Sequence, residues 1–310
     1  MSAAPDRYGP EISDLVVDHD PETLARRPVA KQHVIDALRA AQNPRAARIV
    51  EAFPATRGVL DPDHVDGVLV RSHLELQRLH EEFLMGRRVR EVLAPVLGAI
   101  RQHSAQRPLR VVDIGCGMGF ILRWLAAFGE LGDDVTLTGV DYNDRLIRAA
   151  RHLAEREGLR CTFVTGNAFT LDEPATLYLS TGAIHHFRGD DLARVFAQQD
   201  ASPALAMVHY DIKPSWAAPV GAWIFHQARM REPLAQHDGY LSAVRAHPKS
   251  ALVHAVKTGA PGFHGAMFDG DVPLLPILRI MHGLVGLRPA LREPFEKALK
   301  GDLRRVEWFA

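Results

Sequence analysis

Asp113, Gly115, Gly117 and Gly119 fall at every second position of Val111-Val112-Asp113-Ile114-Gly115-Cys116-Gly117-Met118-Gly119. The apolar run that enters this turn reads as a buried strand, and the residues from Phe120 onward read as the helix that leaves it. Glycine has two uses there. Without Cβ atoms the chain bends sharply and lets a ligand approach the main chain, while amides at the helix start can donate to a carboxylate. Dinucleotide enzymes use Gly-x-Gly-x-x-Gly in the same strand-turn-helix setting, but here the third glycine comes one place early. A nicotinamide-dependent oxidoreductase stays open as an alternative.

Other groups able to do chemistry follow at the ends of later apolar runs. Asp141 closes Val135 to Val140, which places it at the carboxyl edge of a second strand, where open α/β sheets bind ligands. Helix capping is its competing explanation, although Asp144 already suits that purpose. Tyr142 can pack on a flat ring or be a partly exposed structural tyrosine. Gly166-Asn167-Ala168-Phe169 follows a third strand and reads as a ligand contact or a plain turn. Leu179-Ser180-Thr181-Gly182-Ala183-Ile184-His185-His186-Phe187 ends a fourth strand and contains two candidate bases, His185 and His186; a packing histidine is the alternative. His209-Tyr210-Asp211 ends a fifth and leads to Trp216, Trp223, Phe225, His226, Arg229 and Arg231, an aromatic and basic stretch able to line a pocket. Helical spacing also explains Trp223, His226 and Met230 as core contacts.

The Asp-x-Gly-x-Gly-x-Gly spelling resembles the signature of class I methyltransferases. Gly166-Asn167-Ala168 resembles the Gly-Asp-Ala segment that holds adenine in many members, with Asn in place of the acid, and Ile184-His185-His186 looks like the Leu-His-His segment of ubiquinone-biosynthesis-type and other small-molecule members. The resemblance covers roughly Pro108 to Asp211. It implies S-adenosylmethionine as cofactor, held by Asp113, Gly115, Cys116, Gly117, Gly119, Asp141, Tyr142, Asn167, Ala168, Ser180 and Thr181. Asp141 would accept the ribose hydroxyls, and the Asn167 carboxamide oxygen the adenine amino group. His185, His186 and His209 are then candidate bases, and Tyr210, Trp216, His226 and Arg229 candidate acceptor contacts. Such transfer demands no metal, and the sixteen histidines form no obvious ligand-spaced cluster. A small-molecule acceptor is expected, a peptide remains open, and a non-catalytic S-adenosylmethionine-binding protein is the second reading.

The elements that must position these residues are legible in the spacing. Strands are expected at Arg110 to Ile114, Val135 to Val140, Cys161 to Val164, Thr176 to Leu179 and Leu205 to His209, alternating with helices from about Phe120, over Asp144 to Glu157 and over Asp190 to Gln199. This is an α/β fold with a doubly wound, mostly parallel sheet. Residues 1–106 are expected to form an N-terminal helical cap, with helix starts at Asp20-Pro21, Asn43-Pro44 and Asp61-Pro62 and no strand pattern. Its last two helices follow Asp61 and span about Arg87 to His103. Residues 107–310 form the cofactor-binding domain, with a helical insertion around 213–258 containing helices near Trp223 to Arg231 and Leu241 to Val256. A late strand or hairpin is expected between Phe263 and Pro289.

The totals agree with an enzyme of this size. A chain of 310 residues with 47% hydrophobic composition can bury a large core. Thirty-seven basic residues balance thirty-seven acidic ones, so nucleic acid is disfavoured as a partner. No signal peptide or apolar run long enough for a membrane span is visible, and Cys116 and Cys161 alone suggest reduced thiols; the cytoplasm is the expected location. Oligomeric state is not legible.

Overall fold

A computed structural model describes residues 9–216, 218–268, 281–299 and 306–309. In chain order the elements are α1 (Ile12–Val16), β1 (Asp18–His19), β2 (Arg26–Arg27), α2 (Lys31–Ala40), α3 (Pro44–Glu51), β3 (Ala55–Thr56), β4 (Val59–Leu60), α4 (Pro62–Glu82) and α5 (Met85–His103). Then come β5 (Leu109–Ile114), α6 (Phe120–Phe128), β6 (Val135–Asp141), α7 (Asp144–Glu157), β7 (Thr162–Thr165), β8 (Leu177–Thr181), α8 (Asp190–Ala201) and β9 (Ala206–Ile212). The last are α9 (Ala218–Arg229), α10 (Pro233–Arg245), α11 (Lys249–Gly259), β10 (His264–Phe268), β11 (Met281–Leu287), α12 (Arg292–Ala298) and β12 (Val306–Phe309).

Two compact units result: the described parts of Met1–Leu79 with Pro214–Arg245, and of His80–Lys213 with Ala246–Ala310. The division near residue 80 differs from the expected one at 106, because α5 packs on the sheet of the second unit through Val92, Leu93, Val96 and Ile100. Segment 214–245 belongs to the first unit rather than to the cofactor-binding domain.

The second unit is built on an eight-stranded sheet of order β12-β10-β11-β9-β8-β5-β6-β7. β5 to β9 run parallel, and β10, β11 and β12 add antiparallel pairs. Side chains alternate between the faces, as a period of two requires. Val111, Leu177 and Leu179 pack with α5, α6 and α7, while Val112 and Tyr178 pack with α8 and α11. Helices on both faces explain why the parallel strands read as continuous apolar runs. The late hairpin is present as β10 and β11, in register from His264↔Leu287 to Phe268↔Gly283; Val272 and the residues to 280 lie outside the described residues.

In the first unit, Asn43 caps α3 by accepting from Ala46 N, and α4 follows Asp61, as expected. Asp20-Pro21 opens no helix. The Asp20 carboxylate instead accepts from Glu22 N and Thr23 N and closes a turn between β1 and β2, which pair antiparallel. β3 and β4 form a second two-residue pair, too short to give a strand pattern. The expected helix over Leu241 to Val256 is broken. α10 stops at Arg245, and Pro248, in extended conformation, precedes α11, since proline disfavours helical geometry in the residue before it. Asp238 on α10 accepts from Ile12 N and Ser13 N, both at 2.9 Å, and so holds the start of α1.

Candidate active site

β5, β6, β8 and β9 run parallel in the sheet, so their carboxyl ends lie at one edge, where the turn after β5, Asp141, the segment after β8 and Asp211 fall. The turn after β5 has the backbone its sequence implies: Gly115, Gly117 and Gly119 have φ of +69°, +54° and +69°. These are left-handed values that side-chain-bearing residues rarely adopt. Contact reinforces the requirement at Gly119, where a Cβ would lie 2.2 Å from the Phe163 ring, and at Gly115, where it would meet the Ala183 Cβ at 2.9 Å.

Asp141 is tied to that turn. Its Oδ2 accepts from Gly117 N at 2.9 Å and its Oδ1 from Asn143 N at 2.9 Å. The cap of α7 is Asn143, whose Oδ1 accepts from Arg145 N and Leu146 N, so neither Asp141 nor Asp144 performs that task. Asp113 is buried beneath the turn; burial, and then the charge of Asp141, push its carboxyl well above the usual carboxylate range. Its Oδ1 has no hydrogen-bond partner among the described residues. Burial likewise pushes the Cys116 thiol up. Tyr142 is exposed beside Asp141. Asn167 Oδ1 accepts from Phe169 N at 2.9 Å, closing a side-chain turn that holds Ala168 half-buried.

After β8 the structure separates the candidates. His185 is 4% exposed and its Nδ1 lies 2.9 and 3.1 Å from the two carboxylate oxygens of Asp211, at the end of β9. Asp211 also accepts from His185 N at 3.0 Å and Ile212 N at 2.7 Å. Burial raises the Asp211 carboxyl, but the neighbouring imidazole and these hydrogen bonds outweigh it and bring it to about 2. An ionised carboxylate only accepts, so His185 carries its proton on Nδ1. Its Nε2 is buried and without a hydrogen-bond partner among the described residues. His247 lies 3.1 and 2.9 Å through Nε2 from the carbonyls of Ile184 and Phe187, and so fixes the turn that carries His185. His186 is exposed, its ring 4.3 Å from that of His185. Thr181 Oγ1, at the end of β8, is buried without a partner among the described residues.

His209, Ser180 and Tyr210 do not join this edge. His209 is buried with both nitrogens engaged, Nδ1 with Ser180 Oγ at 2.7 Å and Nε2 with Gln199 Oε1 at 3.0 Å. It is a structural histidine, and the same bond commits Ser180. Tyr210 is 1% exposed and packs in the core on the α5 face. Trp216, His226 and Arg229 belong to the first unit. Trp216 is 92% exposed, Arg229 is exposed, and His226 packs between α9 and α10, where a Cβ on Gly239 would lie 1.9 Å from its ring. Spacing within one strand does not say which residues will point to the edge and which into the core. Asp211, 26 positions from His185, was visible only as the last residue of an apolar run. Its placement on the strand next to β8 is what the sequence alone could not supply.

Burial brings His209 down to about 3 from an ordinary 6.5. The unfolded chain therefore binds one more proton between these values, and the folded state loses up to about 1.4 kcal/mol per pH unit there as pH falls. His209→Gln should remove this share, so the stability gap between wild type and variant narrows from pH 7 to pH 4. Urea unfolding at both pH values measures it; a constant gap would show that His209 is charged in the folded protein.

Residues 111–201 match the model of a family described as a methyltransferase domain. Over 83 residues the chain is 32% identical to the ribosomal RNA small subunit methyltransferase C of Alcanivorax borkumensis, covering 27% of this chain and 24% of that one. Over 85 residues it is 33% identical to the sterol 24-C-methyltransferase erg-4 of Neurospora crassa, covering 27% and 21%. The chain thus spans about a quarter of the length of these curated relatives. Among solved structures, the plantazolicin methyltransferase BpumL in complex with SAH aligns over 73% of this chain and 97% of its own, at 12% identity and a TM-score of 0.46. The magnesium protoporphyrin IX methyltransferase from Synechocystis PCC 6803 aligns over 83% and 99%, at 14% identity and a TM-score of 0.42. The left-handed glycine turn falls inside the matched segment, and residues 111–201 are thus similar to a methyltransferase domain.

Proposed function

We propose that this protein transfers the methyl group of S-adenosylmethionine to a small-molecule acceptor that loses a proton in the reaction. The observation that carries the proposal is the hydrogen bond from Gly117 N to Asp141 Oδ2 within a turn of three left-handed glycines. It sets a carboxylate directly beside a loop whose main chain a ligand can approach. The Asp141 carboxylate is assigned to the ribose hydroxyls, which a carboxylate can accept. Gly115, exposed in the turn, offers no side chain against the methionine portion. Asp113 lies buried beneath the turn, its carboxyl pushed up by burial and then by the charge of Asp141. Asn167 and Ala168 are assigned to adenine, Tyr142 to the outer side of the same ring, and Thr181 to the border with the acceptor.

The bound cofactor supplies a methyl already activated by its sulfonium, so the protein has to align a nucleophile and take up its proton. His185 Nε2 is assigned as the proton acceptor. Asp211 holds the ring in the required tautomer and stabilises the charge it gains. His186, exposed beside it, is a weaker candidate for the same task. Among the described residues no helix is long and apolar enough to cross a membrane. Both cysteines are free thiols, which supports a reducing compartment such as the cytoplasm.

S-adenosylmethionine or S-adenosylhomocysteine at a hundredfold excess over Kd should stabilise the protein by about 2.7 kcal/mol and raise Tm by several degrees. NAD and NADP should not. Differential scanning fluorimetry makes the comparison, and a shift confined to the nicotinamide cofactors would overturn the assignment. Loss of the methyl group from bound cofactor on adding phenols, carboxylates or amines would separate an enzyme from a protein that only binds it.

A further inference from the structure

The first unit contains a cavity of about 400 Å³, within the range of small-molecule sites. It lies among α3, α9 and α10. Val220 and Trp223 on α9 and Tyr240 and Leu241 on α10 give it apolar and aromatic walls. Trp223 and Tyr240 keep 48% and 37% of their surface exposed, a large apolar area for one rim to leave in water. The polar lining is mostly committed. Asn43 accepts from Ala46 N through Oδ1 and pairs through Nδ2 with His237 Nε2 at 2.6 Å, while His237 Nδ1 bonds Asp238 at 2.7 Å. Gln236 Nε2 donates to Met230 O at 2.7 Å.

Arg45 differs. It is the charged side chain of the lining, it donates to the neutral Gln227 Oε1 at 2.9 Å, and among the described residues no carboxylate pairs with it. Among the described residues no acid lines the cavity, and the Asp238 charge is spent on Ile12 N, Ser13 N and His237. The walls are also preset, because α9 and α10 meet at Gly239 with no room for a Cβ against His226.

From these observations we propose that this cavity is a binding site for an amphipathic anion: a flat, apolar body held by Trp223 and Tyr240, with a single carboxylate paired to Arg45. Guanidinium and carboxylate match in geometry as well as charge, and aromatic walls favour a planar body. The site stands independently of the methyl-transfer reading.

Isothermal titration calorimetry on the full chain tests it, with biphenyl-4-carboxylate and its neutral isostere biphenyl-4-carboxamide as probes. The carboxylate should bind with one-to-one stoichiometry, at least tenfold tighter than the amide. Arg45→Gln should remove that preference and Trp223→Ala should weaken both probes about tenfold; both side chains are exposed, so the variants should keep the wild-type Tm. Gly117→Val should leave the affinity unchanged, which separates this site from the cofactor turn. The proposal is overturned by equal affinity for the two probes, by carboxylate affinity unmoved in both Arg45→Gln and Trp223→Ala, or by the absence of saturable binding.

Discussion

Asp141→Ala should weaken S-adenosylhomocysteine binding by roughly tenfold to several hundredfold. The carboxylate is expected to accept one or two ribose hydroxyls, each charge-assisted bond worth about 1.5 to 3 kcal/mol. The structure adds a second consequence. Without Asp141, Gly117 N and Asn143 N lose their acceptor, and two buried amides left unpaired cost about 1 to 3 kcal/mol each. The alanine variant should therefore lose apo stability as well as affinity, and affinity alone would not show whether the ribose or only the turn depends on the residue. Asp141→Asn separates the two effects. Its carboxamide keeps one acceptor oxygen for the main chain but turns an NH₂ toward the other partner and carries no charge. Most of the loss in affinity should persist while less of the loss in stability does. Calorimetric titration and urea unfolding measure both quantities. Affinity within twofold of wild type in a folded Asp141→Asn protein would remove the ribose from this carboxylate and with it the cofactor pose.

The residues of this edge differ in how far spacing alone could place them. The turn was legible because glycine at Gly115, Gly117 and Gly119 answers a backbone requirement local to the chain, positive φ at each. Strands β5 to β9 were legible because a parallel sheet covered on both faces writes itself as short apolar runs. Asp141 was legible for the same reason, as the polar residue that ends such a run. Side-chain direction beyond the turn was not. His209 and Asp211 stand two positions apart on β9, yet His209 bonds Ser180 and Gln199 while Asp211 bonds His185. Strand order decides that, and strand order is a long-range property. The membership of α9 and α10 in the first unit also depends on tertiary contact: Asp238 on α10 accepts at the start of α1, more than two hundred positions away.

Asp211→Ala is expected to cost about 3 to 5 kcal/mol of folding free energy, the range for removing one member of a buried charge-bearing pair. Three donors converge on this carboxylate, His185 Nδ1, His185 N and Ile212 N, and alanine removes the acceptor of the two buried His185 donors and of the half-buried Ile212 N. The pH dependence fixes the sign. Because the folded-state carboxyl lies at about 2, below its ordinary 3.8, its contribution is fully present above pH 3.8 and is lost as pH falls toward 2. The wild-type advantage over Asp211→Ala should therefore be constant from pH 7 to pH 5 as far as this group is concerned. Asp211→Asn tests the chemistry with less damage to packing. An asparagine oxygen can still take His185 N, but it no longer compels the ring to place its proton on Nδ1, nor stabilises an imidazolium. For any acceptor that the protein turns over, kcat should fall by roughly a hundredfold to ten-thousandfold, the span of a positioned base, with cofactor affinity nearly unchanged. Nitrogen chemical shifts of histidine labelled with ¹⁵N give a reading that needs no acceptor. Wild-type His185 should show a protonated Nδ1 and a bare Nε2, and Asp211→Asn a mixture of tautomers. A wild-type ring protonated on Nε2 would leave no lone pair at the one buried nitrogen free to receive a proton, and the base would have to be sought at the exposed His186.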